Sequence, residues 1–119
     1  MGPSVERRQV AGETVLFYSR LPAGREMYAA RFGADGKLIA IEQRLTRENA
    51  ERLVLKQSTR EDVRDLFGPP FRVNDYPRTG RQVWLYPMLE GAVRYTLNVD
   101  FTADGRVYEV KLYDVVDPD

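Results

Sequence analysis

The sequence predicts an α+β fold in which two short helices pack on a mainly antiparallel sheet and leave its polar face open. Two Asp-Gly pairs, Asp35-Gly36 and Asp104-Gly105, stand between stretches of alternating apolar and polar residues, as in β-hairpins. Helical periodicity occurs only in the middle of the chain. The strands and helices do not alternate in the way that builds a parallel sheet.

The chain also repeats itself. The stretch Thr14 to Tyr18 matches Gln82 to Tyr86 at a spacing of 68 residues. A longer block, 31–41, matches 100–110 at a spacing of 69, and each block contains one of the two Asp-Gly pairs. Self-similarity at a fixed spacing indicates duplication of one structural unit.

The two copies differ in their helices. Residues 1–45 contain only predicted strands, with a Pro/Gly loop at 21–24, whereas 46–119 contain both helices and strands. We therefore predict a partial, strand-only repeat at 1–45 and a complete helix-helix-sheet repeat at 46–119, together forming one compact unit. The apolar sheet face of the first repeat would lack its cover unless the helices of 47–67 serve both repeats, so we expect a homodimer or a form in which strands or helices are exchanged between copies.

Alternation assigns a buried and a solvated face to each predicted strand. Polar residues such as Glu42, Arg44 and Glu109 are expected on the solvated faces. The apolar residues expected in the core are Val93, Tyr95, Leu97, Val99 and Phe101 in one strand, Ile39, Ile41 and Leu45 in another, and Tyr108, Val110 and Leu112 in the last.

The first predicted helix lies near 47–55. Thr46 precedes it as a candidate N-cap, since a threonine hydroxyl accepts from the free amides of a first turn. Ala50, Leu53 and Val54 then follow the i, i+3, i+4 spacing of one helix face.

The second predicted helix begins after Thr59. Asp62 stands three residues later, which is a capping-box pattern with Asp in place of the usual Glu. Gly68 provides a positive φ at the helix end, and the Pro69-Pro70 pair prevents continuation. The apolar stripe consists of Val63, Leu66 and Phe67.

Composition excludes several functions. The chain has no His and no Cys, which removes serine triads, cysteine nucleophiles and the usual zinc ligands. Eighteen basic residues balance 18 acidic ones, so the field that draws a basic domain to nucleic acid is missing. Carboxylate pairs such as Glu61-Asp62 are explained by the helix dipole. We expect no enzyme activity, no cofactor, no metal and no nucleic-acid partner.

Several motifs within residues 46–115 form a recognisable set. They are the capped helix and its stop at 59–70, the strand Val83-Trp84-Leu85-Tyr86, and Val99-Asp100-Phe101 with the turn at 104–107. This set resembles the BamE family, also called SmpA/OmlA, of small outer-membrane lipoproteins in the β-barrel assembly machinery. The resemblance implies a helix-helix-strands fold and a location at the periplasmic face of the outer membrane.

The chain departs from this family in two respects. Gln57-Ser58 stands where family members usually have a Gly-Met pair before the cap, so we expect the turn between the helices to use a different backbone conformation. The tandem copy is more similar to the duplicated arrangement of β-lactamase inhibitory proteins, which bind an enzyme through the sheet surface. An inhibitor-like binding module is therefore the alternative to an assembly lipoprotein.

The candidate partner-binding residues fall in three groups. Trp84 with Tyr86 provides either an exposed aromatic anchor or, as the apolar neighbours Val83 and Leu85 favour, a strand buried between layers. A long loop is expected after the helix stop, with Phe71 and Tyr76 on it. The third group is a polar patch on the open sheet face, formed by Arg94, Thr96, Asn98 and Lys111.

We therefore expect a non-enzymatic, periplasm-facing protein-interaction domain that acts in outer-membrane assembly or envelope integrity. A segment upstream of Met1 would carry the signal peptide, the lipidated Cys and the helices of the first repeat. The lipid would anchor the protein, and the sheet face and the loop at 71–80 would contact other proteins, outer-membrane assembly components among them.

Overall fold

A computed structural model describes residues 6–19 and 25–115; the predicted loop at 21–24 lies outside these ranges. The described chain forms eight strands and two short helices in two successive groups. The first group comprises β1 (Glu6–Val10), β2 (Glu13–Ser19), β3 (Met27–Phe32) and β4 (Leu38–Gln43). The helices are α1 (Arg47–Ala50) and α2 (Arg60–Phe67). The second group comprises β5 (Arg72–Tyr76), β6 (Arg81–Glu90), β7 (Val93–Phe101) and β8 (Val107–Asp114).

The predicted α+β class is wrong. Each group of strands forms its own four-stranded antiparallel sheet, in which strands that follow each other in the chain are neighbours. More than half of the described residues lie in strands and only about a tenth in helices. The prediction failed because it placed the strands of both copies in one sheet and gave the helices a full covering layer.

The two sheets share local details that reflect the repeat. Both β3–β4 and β7–β8 shift register, between Arg31 and Phe32 in the first sheet and between Asp100 and Phe101 in the second. Both turns have a positive φ at the glycine of the Asp-Gly pair, 79° at Gly36 and 84° at Gly105. The hairpins predicted from these pairs are confirmed. An extra residue of this kind bends a strand and increases its twist, so both sheets are bent at the same place.

The first helix is shorter than predicted. The Thr46 cap is confirmed, because its side chain accepts from the amide of Asn49, but the helix ends at Ala50. The next residues form turns instead: Lys56 adopts a φ of 68°, and its amide donates to the carbonyl of Val107 at 2.7 Å. This bond to the second sheet replaces the bonds that would have continued the helix.

The second helix follows the prediction closely. Thr59 and Asp62 form the reciprocal capping box, and Gly68 ends the helix with a φ of 79°. Its buried residues are Val63 and Phe67.

Helix α2 lies between the two sheets and contacts both of them. Toward the second sheet, the Phe67 and Tyr86 rings are 5.3 Å apart, and the Tyr86 hydroxyl donates to the carbonyl of Gly68 at 2.9 Å. Toward the first sheet, Gly68 approaches the Phe17 ring so closely that a Cβ atom there would lie 2.8 Å from it. The core therefore runs from one sheet through α2 to the other.

Charged residues of the first sheet hold the same helix. Arg8 bonds to Asp65 at 2.7 Å and also to Glu61 and Glu6, while Glu6 accepts from Arg64 at 2.8 Å. Burial alone would raise the pKa of Glu6, but hydrogen bonds from Arg64 and Arg8 outweigh it and hold that pKa below its ordinary value.

The predicted faces of β4 are reversed. Ile39 and Ile41 are each 51% exposed, whereas Leu45, just beyond the strand, is buried as predicted. Arg44, expected in solvent, points toward α2 and donates to the carbonyls of Asp65 and Leu66. The prediction assumed that the more hydrophobic side of β4 faces the core. Here the strand meets the C-terminal end of α2, whose unpaired carbonyls favour a cation over an aliphatic side chain.

The predicted loop at 71–80 is also wrong over half of its length. Residues 72–76 form the edge strand β5, which a four-residue turn at 77–80 joins to β6. In the first sheet, the turn between β1 and β2 has only two residues. Within the described ranges, neither helix has the length or the apolar composition needed to cross a membrane.

Candidate functional site

The second sheet carries a groove of about 780 Å³ on its face that points away from α2. We call it the outer groove. Strands β5 to β8 form its floor, and the turn at 77–80 forms one wall. The side chains that line it include Asn74, Tyr76, Arg81, Asn98, Asp100 and Lys111.

The floor of the groove follows from the alternation of β7. Leu97, Val99 and Phe101 are fully buried on the α2 side, so Asn98 and Asp100 between them point the other way. Asn98 pairs with Leu85 and Lys111 in the neighbouring strands. The Asn98 and Asp100 side chains thus stand on one face, about 7 Å apart along the strand.

Both residues carry acceptors that lack a donor. The Asn98 Oδ1 atom is shielded from solvent and receives no hydrogen bond from the described residues. The Asp100 carboxylate likewise has no ion-pair or hydrogen-bond partner in this part of the chain. An acceptor enclosed without a donor costs about 1–3 kcal/mol. The floor therefore favours a ligand that brings N–H groups.

The cations of the groove are mostly engaged with its own residues. Lys111 Nζ lies 3.2 Å from a Glu109 carboxylate oxygen, and this hydrogen bond raises the pKa of Lys111 above its ordinary value. The Arg81 guanidinium lies 4.0 Å from the centre of the Tyr108 ring. Arg78 also lines the groove, so its charged lining combines these three cations with the carboxylates of Asp100 and Glu109.

The structure brings together some of the predicted site residues. Tyr76, Asn98 and Lys111 all line the outer groove, with Tyr76 51% exposed. Arg94 and Thr96 lie on the same face of β7 as Asn98, but beyond the groove. Phe71 is 73% exposed and lines a separate small cleft between the sheets with Pro70 and Tyr86, among others.

Trp84 does not belong to this surface. It is 4% exposed, its ring packs 4.7 Å from that of Phe101, and its Nε1 donates to Gln82 at 3.2 Å. The exposed-anchor interpretation of Trp84 is wrong, and the core interpretation is confirmed. The reason is that α2 covers this face of β6, with the Arg64 guanidinium 5.5 Å from the Trp84 ring.

Sequence reasoning missed Asp100 and Arg81 as parts of the site, and it placed 77–80 in a longer binding loop instead of in a turn that forms the wall of the groove. Asp100 shows a usable signal, because it continues the polar alternation of Arg94, Thr96 and Asn98. The wall has no such signal, since it depends on residues 72–76 pairing with β6 as an edge strand.

Other types of site find no support in the described ranges. No group of three or more acidic residues there is arranged to hold a metal ion. A comparison of the chain with protein-family models, with curated proteins and with solved structures finds no match.

Proposed function

We propose that this chain is a non-enzymatic protein-interaction domain of a BamE-like lipoprotein, and that it binds a partner polypeptide in the outer groove. It would act at the periplasmic face of the outer membrane, in β-barrel assembly or envelope integrity. The observation that carries the proposal is the buried Asn98 Oδ1 atom without a donor, beside the partly exposed Asp100 carboxylate, on the floor of an open groove.

A polypeptide suits this groove better than a small polar molecule does. Its backbone amides and its Arg or Lys side chains are the donors that the floor lacks. The exposed Tyr76 ring in the wall offers an aromatic surface to the same segment. Strand β5 borders the groove and, among the described strands, pairs with β6 alone, so its outer edge can also receive an added strand.

The ionisation of the carboxylates is consistent with binding instead of acid–base catalysis. Every described carboxyl with a resolved pKa shift has its pKa lowered, as in Glu6, Glu13, Glu90 and Asp104. A general acid needs the opposite perturbation, a pKa raised toward neutrality.

The second candidate is an inhibitor-like module that covers the active site of an enzyme with the same sheet face. The open floor with its flanking wall favours this candidate, because such a surface can receive a projecting loop. Inhibition assays against periplasmic hydrolases, β-lactamases included, separate the two functions, since an assembly component should inhibit none of them.

The groove is tested by affinity capture from envelope extracts with matched baits. Wild-type protein should enrich β-barrel assembly components. Asp100→Arg, which reverses the charge of the floor, should lose them. Glu51→Arg makes the same change at an exposed position after α1 and should retain them. Capture of no assembly component by wild type, or equal capture by Asp100→Arg, would contradict the proposal.

The location is tested separately by intact-mass analysis of the endogenous protein after membrane fractionation. A species with an acylated N-terminal Cys in the outer-membrane fraction is the expected result. An unmodified chain that begins at Met1 in the cytosolic fraction would refute the lipoprotein assignment.

A further inference from the structure

The first sheet has an open apolar face on the side away from α2. Leu38 and Ile41 are each about half exposed there, at 52% and 51%. Leu16 and Ala30 lie on the same side, because Leu16 pairs with Ala30 and Ala30 with Ile41. We call this surface the first-sheet apolar face; it also includes Tyr18, Tyr28 and Phe32.

The internal repeat shows what such a face is built to contact. At the repeat spacings of 68 and 69, each of its main residues corresponds to a residue that the second sheet buries against α2 or the core around it. The corresponding pairs are Leu16 with Trp84, Tyr18 with Tyr86, Phe32 with Phe101, Leu38 with Val107, and Ile41 with Val110.

Helix α2 cannot cover both equivalent faces. It packs Phe67 against Tyr86 in the second sheet, and in the first sheet it contacts the opposite, non-equivalent face through Phe17 and Arg8. The sequence allows the helices of 47–67 to cover both repeats; α2 does contact both sheets, but it covers non-equivalent faces of them. The face of the first sheet that corresponds to the helix-covered one has no cover from the described residues.

We propose that the first-sheet apolar face binds an amphipathic helix presented by a partner protein. Four strands about 4.8 Å apart span roughly 14 Å between the outer strand axes, which one or two helices about 10 Å wide can cover. Strands of five to seven residues are roughly 17–23 Å long, equal to about 11–15 residues of helix.

The charges at the rim select the kind of helix. Arg7 stands on this face beside Leu16, and Lys37 lies in the turn at its end; both are exposed, and neither side chain has a partner in the described ranges. Acidic residues beside the apolar stripe of the helix would pair with these cations. A second copy fits less well, because the strand residues of this face in the described ranges include no carboxylate that could pair with Arg7 of another copy.

The experiment uses a labelled peptide of residues 58–70, whose helix covers the equivalent face of the second sheet. The peptide carries Arg60→Lys and Arg64→Glu, and a lactam between these two new side chains holds it in the helical conformation. Its remaining charged side chains are Glu61, Asp62 and Asp65. Circular dichroism verifies the helix. Fluorescence anisotropy measures binding to the wild-type chain, and amide chemical shifts locate the site.

We expect saturable binding that perturbs β3 and β4 and that weakens at least tenfold in Ile41→Glu. Val54→Glu is the matched control, since Val54 is 49% exposed in the segment between the helices, and it should bind within twofold of wild type. Both substitutions replace exposed side chains, so both variants should keep the wild-type melting temperature.

Three results would overturn the proposal. The first is no saturable binding of the verified helix at millimolar concentration. The second is binding that Ile41→Glu leaves unchanged. The third is a dimer of the unliganded chain in sedimentation experiments that Ile41→Glu dissociates, because a second copy would then be the occupant. Since the outer groove lies on the other sheet, failure here leaves the capture experiment with Asp100→Arg unaffected.

Discussion

Replacing Gly68 with alanine tests how tightly α2 is fitted against the first sheet. Gly68 has a φ of 79° and a ψ of −165°, a combination that is nearly restricted to glycine and costs another residue about 1–3 kcal/mol. The added Cβ would lie 2.8 and 2.9 Å from two carbons of the Phe17 ring. Phe17 is fully buried, so relief of this contact requires movement of the core, at a further cost of about 1–3 kcal/mol.

The expected loss of unfolding free energy for Gly68→Ala is therefore about 2–6 kcal/mol. Gly36→Ala is the control, because Gly36 has the same φ of 79° but open space around its Cβ position. We expect this variant to lose only about 1–2 kcal/mol. Urea titration followed by circular dichroism measures both values. Equal losses in the two variants would refute the argument that residue 68 is packed against Phe17.

Three further substitutions test the remaining contacts. The ionised Glu6 side chain contributes stability above its unfolded pKa, near 4.5, and Glu6→Gln removes this contribution. The variant should therefore lose less stability than wild type between pH 6 and pH 3. An unchanged pH profile would show that the bonds from Arg64 and Arg8 do not lower the Glu6 pKa. Asn98→Val should raise the unfolding free energy by about 1 kcal/mol and weaken partner capture, whereas a loss of stability would mean that the Asn98 oxygen is satisfied. Tyr86→Phe should cost about 1–3 kcal/mol in thermal or urea unfolding, because it leaves a buried carbonyl without its donor, and a neutral effect would contradict this bond.

Local features of the fold were predictable because each depends on a few neighbouring residues. The caps at Thr46 and Thr59, the helix end at Gly68 and the two Asp-Gly hairpins follow from backbone chemistry within four residues. The α+β class was not predictable in this way. It required knowledge of whether two sets of strands join in one sheet, and that depends on pairing between distant segments.

The faces of the strands show the same limit. Alternation placed Leu97 and Val99 in the core correctly, because α2 covers the side of β7 that is richer in apolar residues. The same rule failed for Ile39 and Ile41, since α2 meets the first sheet on its more highly charged side. Of the candidate site, Asn98 and Lys111 could be grouped from alternation, but the role of Tyr76 depended on β5, which no local pattern indicated.

The order of the strands has a consequence for how the chain folds. Each described sheet pairs only strands that follow one another, so both can form from successive hairpins without a long loop closure. Contacts that are close in sequence form quickly, whereas those between distant segments form slowly. Distant contacts join α2 to the first sheet, at Arg8 with Asp65 and at Phe17 with Gly68. Others join the two sheets directly, where Arg25 donates to the carbonyls of Met88 and Tyr95. Docking of the helix between two preformed sheets is thus the step expected to limit the folding rate.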